Sequence, residues 1–301
     1  MTRRAWLLMW ILALLWGASY LFIKVSLEDM HPVFLVWARL VLAAMVLIPL
    51  AWRADALRGL PLLPLVVLAL VQVVAPFLLI TFGEEHIASS LAGILVASAP
   101  IFTALLGMAG LGSERVSRWS FAGILVGLAG VAMLFGIDLT GDTSALLGGL
   151  MVLLAGFGYA VGAIYLRTRL AGRPSIGLAA GSMTMSALLL TIPAAFAVPS
   201  QLPDAEGFGA ILALGLGGTG VAFAIFYKLI TDLGAAKASV VAYLAPGFAL
   251  AYGAVLLDEP VGLGAALGLG LILAGSWTAA EGKPPSGWPR GRLRAAVAPP
   301  A

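Results

Sequence analysis

The sequence predicts an all-α integral membrane protein, with ten transmembrane helices arranged as two inverted five-helix repeats. Three observations carry that prediction. The 301-residue chain is 61% hydrophobic and 10% charged, with a mean hydropathy of +1.06, too apolar for the surface of a water-soluble globule. Gly and Pro cut it into ten apolar runs, each near the about 20 residues that cross a hydrocarbon core as a helix. The last five runs repeat the order of the first five, and because five is odd the second copy must enter the membrane from the opposite side.

The first run, Trp6 to Val25, follows Arg3 and Arg4. It is of spanning length, lacks a signal-peptide cleavage site and leads into more membrane, so it reads as a retained helix. Its Leu14, Leu15, Gly17 and Tyr20 return in the sixth run, Ala145 to Arg167, as Leu153, Leu154, Gly156 and Tyr159. The second run, Val33 to Trp52, carries Ile48-Pro49 near its end, and the seventh, Ile176 to Ala197, carries Ile192-Pro193. The third, Leu63 to Gly83, holds Pro76, whose near counterpart in the eighth, Gly207 to Ile230, is Gly220. The fourth, Ser89 to Leu111, and the ninth, Ala236 to Leu257, share Ala99-Pro100 and Ala245-Pro246 near mid-run. The fifth, Val116 to Gly136, and the tenth, Val261 to Ala280, align through Glu114, Val116, Gly123, Ala129 and Gly130 with Glu259, Val261, Gly268, Ala274 and Gly275. Membrane-spanning strands would be about ten residues of alternating polarity, whereas a run such as Ala122 to Phe135 is apolar throughout. The repeats divide as 1–137 and 138–281, followed by a basic, Pro-rich tail at 282–301 that is expected to be disordered.

Charge assigns the two sides. Arg3, Arg4, Arg53, Arg58, Arg115, Arg118, Arg167, Arg169, Arg173, Lys228, Lys237, Lys283, Arg290, Arg292 and Arg294 fall on the side shared by both termini. The opposite side holds Glu28, Asp29, Glu84, Glu85, Asp138, Asp142, Asp204, Glu206, Asp258 and Glu259. Short cytoplasmic loops are enriched in Lys and Arg, so both termini are expected in the cytoplasm of a multi-pass cell (plasma or inner) membrane protein. The net charge of +3 is therefore a topology signal. A nucleic-acid partner would need its basic residues gathered on one folded face, and here they are dispersed over loops. The chain has no Cys, which excludes disulfides and thiolate metal sites.

The opening LLWGASYLFIKVSL, the following HPVFLVWARLVLAAMVLIPL, the SLAGILVASAPIFTALLG of the fourth run and the GSERVSRWSFAGILVGLAGVAML of the fifth resemble the drug/metabolite transporter superfamily, EamA type, in which two EamA domains share one chain. The similarity runs from residue 6 to 280. It implies ten helices, cytoplasmic termini, a central cavity between the repeats, and export of amino acids or other small metabolites. The second half departs from the pattern, because AGFGYAVGAIYLRTRL lacks the Trp, Ser and Lys of WGASYLFIK.

Proline inside a helix removes a backbone hydrogen bond and clashes with the preceding turn, so Pro100 and Pro246 are candidate kinks lining a cavity. Lys24 and Arg39 are the two cations placed inside spans, where insertion costs at least about 2.5 to 3.5 kcal/mol. They are candidates for an outer gate with Glu28, Asp29 or Glu85, with substrate attraction as the alternative role and snorkelling as the structural alternative for Lys24. Trp16, Ser19, Tyr20, Gln72, Ser98, Tyr159 and Tyr243 are the cavity candidates, since cavities are mostly apolar with a few oriented polar groups. For any one Trp or Tyr, packing or the interfacial belt is the reading preferred over cavity lining, and an interhelical hydrogen bond explains Gln72 equally well. Small-residue pairs, Gly123-x3-Gly127, Gly158-x3-Gly162 and Gly264-x3-Gly268, point to close helix contacts within the chain, with dimerisation as the alternative. No Asp or Glu falls inside the spans as drawn, which favours downhill export or exchange over proton coupling. No cofactor, catalytic or metal site is expected, and no P-loop appears for direct use of ATP. The expected function is a secondary transporter of small metabolites working by alternating access. Hydrophobic drug efflux is the alternative, and a non-transporting scaffold or a membrane enzyme is the reading from a different class.

Overall fold

The computed structural model describes residues 2–111, 117–137, 142–233 and 238–281, and every regular element among them is helical. The helices are α1 (Arg3–Ser26), α2 (Pro32–Arg53), α3 (Leu62–Glu84), α4 (Ser89–Met108), α5 (Arg118–Ile137), α6 (Thr143–Arg169), α7 (Ser175–Ala195), α8 (Ala205–Leu233), α9 (Val241–Leu256) and α10 (Leu263–Glu281). All but the shorter α9 are long and apolar enough to span a membrane. The junction at 137/138, Glu114 and Val116 of the fifth run, and the tail at 282–301 lie at or outside the edges of the described residues.

Start signals are local. Thr2 caps α1, His31 caps α2 with Pro32 in its first turn, Asp142 caps α6 and Asp204 caps α8, each satisfying N–H groups that open a helix. The face that carries the start of α1 and the end of α10 is called the terminal face here, and the opposite one the far face.

Packing repeats with two-fold logic. The α1 helix packs on α8 and α9, as α6 packs on α3 and α4, while α2 pairs with α7, α4 with α9 and α5 with α10. Exchanging the halves leaves that pattern unchanged, as expected of two inverted repeats. The α5–α10 seam is closest: a Cβ on Gly275 would fall on the backbone of Gly127 and 2.7 Å from the Gly123 carbonyl, and one on Gly130 would lie 2.9 Å from the Gly268 carbonyl. Gly158 and Gly162 likewise seat Pro76 and Gln72 of α3. Gly123, Gly127, Gly158, Gly162 and Gly268 thus serve contacts inside the chain.

The matched prolines act differently. Before Pro100, α4 breaks at Ala97-Ser98, where Ala97 and Ser98 donate to the carbonyls of Ile94 and Leu95 (both 3.1 Å). The Ser276 hydroxyl of α10 donates to the Ala97 carbonyl (2.9 Å), satisfying a group that the break exposes. Pro246, by contrast, lies within an unbroken α9. The paired distortions that the helices do share are widened π turns, Ala69–Val74 in α3 and Ala213–Val221 in α8. In α3 the wide turn precedes Pro76 and absorbs the ladder bond its ring cannot make.

Candidate functional site

The wide turn of α8 faces a buried cation, and Phe77, just past the wide turn of α3, lies against the same group. Arg39, on the inner side of α2, is 6% exposed. Its Nε donates to Thr219 Oγ1 (2.7 Å), and its guanidinium carbon lies 4.0 Å from the centre of the Phe77 ring, a cation–π distance. Thr219 belongs to the wide turn of α8 and donates in turn to the Leu214 carbonyl (2.9 Å), five residues back. The glycines around it, Gly215, Gly218 and Gly220, admit α1 and α2 so closely that a Cβ at any of them would meet Leu42, Ser19 or Val46. Tyr20 of α1 and Tyr159 of α6 lie within electrostatic range of Arg39 and of each other. Arg39, Tyr20, Tyr159, Phe77 and Thr219 therefore form one central cluster drawn from five helices.

The other candidates distribute around it. Trp16 packs its ring against Phe223 (5.9 Å between centres) and Phe226 (5.1 Å) of α8. Ser19 donates to the Leu15 carbonyl (3.0 Å) and abuts Gly218. Gln72 lies in the wide turn of α3 against Gly162, its Oε1 buried without a hydrogen bond. Ser98 is buried at the α4 break, bonded to the Leu95 carbonyl (2.6 Å). Tyr243 turns to α10, with its hydroxyl 3.4 Å from the Ser276 carbonyl and its ring 5.4 Å from Trp277. The structure therefore brings Tyr20, Arg39 and Tyr159 together and places Ser98 and Tyr243 on the α4 and α10 side.

The far end of the bundle is shut by polar contacts. Lys24 donates to the main-chain carbonyls of Glu84 (2.6 Å) and Ile87 (3.0 Å). The carboxylate of Glu259, in the α9–α10 turn, accepts from the backbone N–H groups of Ser89 (2.7 Å) and Ser90 (2.9 Å) and so caps α4. Asp29 accepts from the Asp204 N–H (3.1 Å). Glu85 is exposed and takes no part, and Glu28 is likewise exposed. Its neighbour Glu84 corrects the picture of acid-free spans: it is the last residue of α3 and fully buried. Sequence reasoning missed Glu84, Phe77 and Thr219. The one available signal for Thr219 was a polar residue inside the Gly-rich stretch of α8.

Toward the terminal face, a cavity of about 870 Å³ opens between α1, α2, α8 and the α6–α7 turn. Its wall is apolar, with Leu8, Val46, Leu50, Ile176, Val221 and Ala224, and Tyr227 is the aromatic polar group within it. Arg4, Arg173 and Lys228 stand at its rim. Together these features describe a bundle open at one end, closed at the other, with a buried cation between.

Comparison with known proteins agrees with this architecture. The sequence pattern of the EamA-like transporter family matches residues 3–136 and again 146–280. The chain is 28% identical to the "Uncharacterized inner membrane transporter YedA" of Escherichia coli (strain K12), covering 87% of this chain and 86% of that protein. It is 25% identical to the "Uncharacterized transporter YoaV" of Bacillus subtilis (strain 168), covering 87% and 91%. It is also 28% identical to a "Probable amino-acid metabolite efflux pump" of Escherichia coli (strain K12), covering 91% and 94%. A solved structure titled "Crystal structure of protein" superimposes with a TM-score of 0.68 at 23% identity, over 93% of this chain and 98% of that one, which shows the shared fold.

Proposed function

The chain belongs to the EamA-like transporter family, and from that premise we propose that it exports small amphipathic metabolites, amino acids foremost, by alternating access at the cavity between its repeats. It is a multi-pass membrane transporter and not an enzyme. The observation that carries the substrate reading is the Arg39 guanidinium. It donates through Nε to Thr219 and, among the described residues, makes no other hydrogen bond, leaving its two terminal nitrogens as a planar fork suited to a carboxylate. Tyr20 and Tyr159 beside it supply hydroxyls and ring faces for the remainder of an amino acid. The relative called a probable amino-acid metabolite efflux pump supports the same choice.

With both termini in the cytoplasm, as the basic loops favour, the cavity opens on the side from which an exporter loads. The shut far face then makes this the inward-open half of the cycle. One chain supplies both repeats, so a monomer suffices, with a homodimer as the alternative. The apolar cavity wall favours a second reading, efflux of hydrophobic drugs. Growth protection of a sensitive host against toxic amino-acid analogues and hydrophobic drugs separates the two. Protection against the analogues, lost in Arg39→Ala, is the expected result. Drug protection that survives Arg39→Ala, with none against the analogues, overturns the amino-acid reading.

A further inference from the structure

The carboxylate of Glu84 is the group the fold leaves unexplained. It is 0% exposed, and neither carboxylate oxygen has a hydrogen-bond partner. Burying an ionised carboxylate without donors is among the costliest arrangements a protein can adopt, so a charged Glu84 would be expected to capture the nearest donor. That donor is Lys24, yet its ammonium turns to the main-chain carbonyls of Glu84 and Ile87 and not to the carboxylate. The other groups that act on Glu84 are Arg39 from α2 and the carboxylate of Glu259 from the α9–α10 turn, with Tyr20 of α1 also in range. Arg39 spends its Nε on Thr219 and makes no hydrogen bond to the Glu84 carboxylate, and Glu259 offers no donor, its oxygens accepting from the N–H groups of Ser89 and Ser90. The α6 helix presents Gly148 and Val152 against Gly83, neither of them ionisable. On the same turn, His86 and Glu85 point to the exposed surface.

We infer that Glu84 is a proton-binding site, neutral while the far gate is shut and ionised when the gate opens to water, so that proton loading holds the far gate closed. The bond made is O–H on a carboxylate oxygen, and the proton leaves to far-side water as the gate opens. Far-side acid then favours the shut conformation and far-side base the open one. Linkage caps the dependence of the open-to-shut ratio at about tenfold per pH unit for one proton. This couples the cycle to protons, where the acid-free spans drawn from sequence favoured uncoupled transport. The gate part of the proposal rests on alternating access, whereas the proton site does not.

Two measurements on the full chain in lipid vesicles test it. Infrared spectra at neutral pH should show a carboxylic acid C=O band that shifts on [13C]glutamate labelling, disappears in Glu84→Gln and survives in Glu85→Gln. Wild-type vesicles without such a band overturn the proton site, whether or not any variant folds. Because the natural chain has no Cys, a single Ser89→Cys at the gate can be labelled with a membrane-impermeant maleimide from the far side. Comparing the labelling rate with that in a Glu84→Gln background cancels the thiol's own pH dependence. The ratio should rise with pH toward the tenfold-per-unit limit, and a flat ratio overturns the link to the gate. A chain that transports nothing would still show the infrared band, so failure of the transport reading and failure of the proton site are told apart.

Discussion

Lys24→Met should unlatch the far gate. In the shut conformation the Lys24 ammonium makes two charge-assisted bonds, 2.6 Å to the Glu84 carbonyl and 3.0 Å to that of Ile87. A bond of this kind contributes about 1.5 to 3 kcal/mol when formed in protein. Lys24 is only partly buried, and an opened gate returns both carbonyls and the ammonium to water, so the low end of that range applies, with a further discount for solvent. About 2 kcal/mol for the pair is the reasoned figure, equivalent to a roughly 30-fold shift toward the open state. Methionine keeps the length and apolar stem of lysine, so packing against α3 is preserved while the latch is lost. The assay is far-side maleimide labelling of Ser89→Cys, a position 1% exposed in the shut structure. Labelling should accelerate by about the same factor while the thermal midpoint moves little. A change below about threefold, roughly 0.6 kcal/mol, in a folded protein would show that Lys24 snorkels and latches nothing.

Three other outcomes follow from particular contacts. Thr219→Val keeps the shape but strands the buried Arg39 Nε, which should cost about 1–3 kcal/mol and lower the midpoint of thermal unfolding in detergent, while Thr219→Ser should restore it. Gly275→Ala drives a methyl onto the backbone of Gly127 and should destabilise the α5–α10 seam by about 1–3 kcal/mol, whereas Gly270→Ala meets nothing within 4 Å and should be neutral or slightly stabilising by the same melting assay. Asp142 caps α6 through the Ser144 hydroxyl (2.7 Å) and the N–H groups of Ser144 (2.8 Å) and Ala145 (3.3 Å), bonds that hold its carboxyl below the ordinary carboxylate range, the Ser144 hydroxyl foremost. Its contribution is therefore full above that ordinary range and lost as pH falls through the lowered value, so the protection of the Ser144 and Ala145 amides relative to Asp142→Asn, which cancels their intrinsic exchange, should fall away only in acid.

The spans and the internal repeat are legible because length and apolar composition alone decide whether a segment can cross lipid. Hydropathy carries no phase, however, since in a membrane bundle the lipid-facing and helix-facing sides are both apolar. That is why Glu84 and Glu85, neighbours about 100° apart around a helix, cannot be told apart by pattern. Only the folded packing, which buries Glu84 and leaves Glu85 exposed, shows that one points into the bundle and the other into water. The wide turns in α3 and α8 hide for a related reason. Shifting a hydrogen bond by one residue depends on what presses against the turn, and Pro76 accounts for one case while a glycine stretch with Thr219 accounts for the other.

The asymmetry of the charges has a physical reading of its own. Duplication fixes the helices in exchangeable pairs, but a small molecule with one carboxylate and one distinct body has no two-fold axis. A site that recognises it must break the symmetry of its scaffold. Here Lys24, Arg39 and Glu84 all come from the first repeat, while around Arg39 the second answers with neutral groups, the Thr219 hydroxyl and the Tyr159 phenol. Moving the cation across the pseudo-axis, with Arg39→Thr and Thr219→Arg in one chain, places it on α8, so that its fork projects from the second repeat. Such a chain should fold, since the pair is conserved in reverse, yet lose protection against amino-acid analogues. Retained protection would mean that recognition follows the cavity's shape and not the side from which its charge projects.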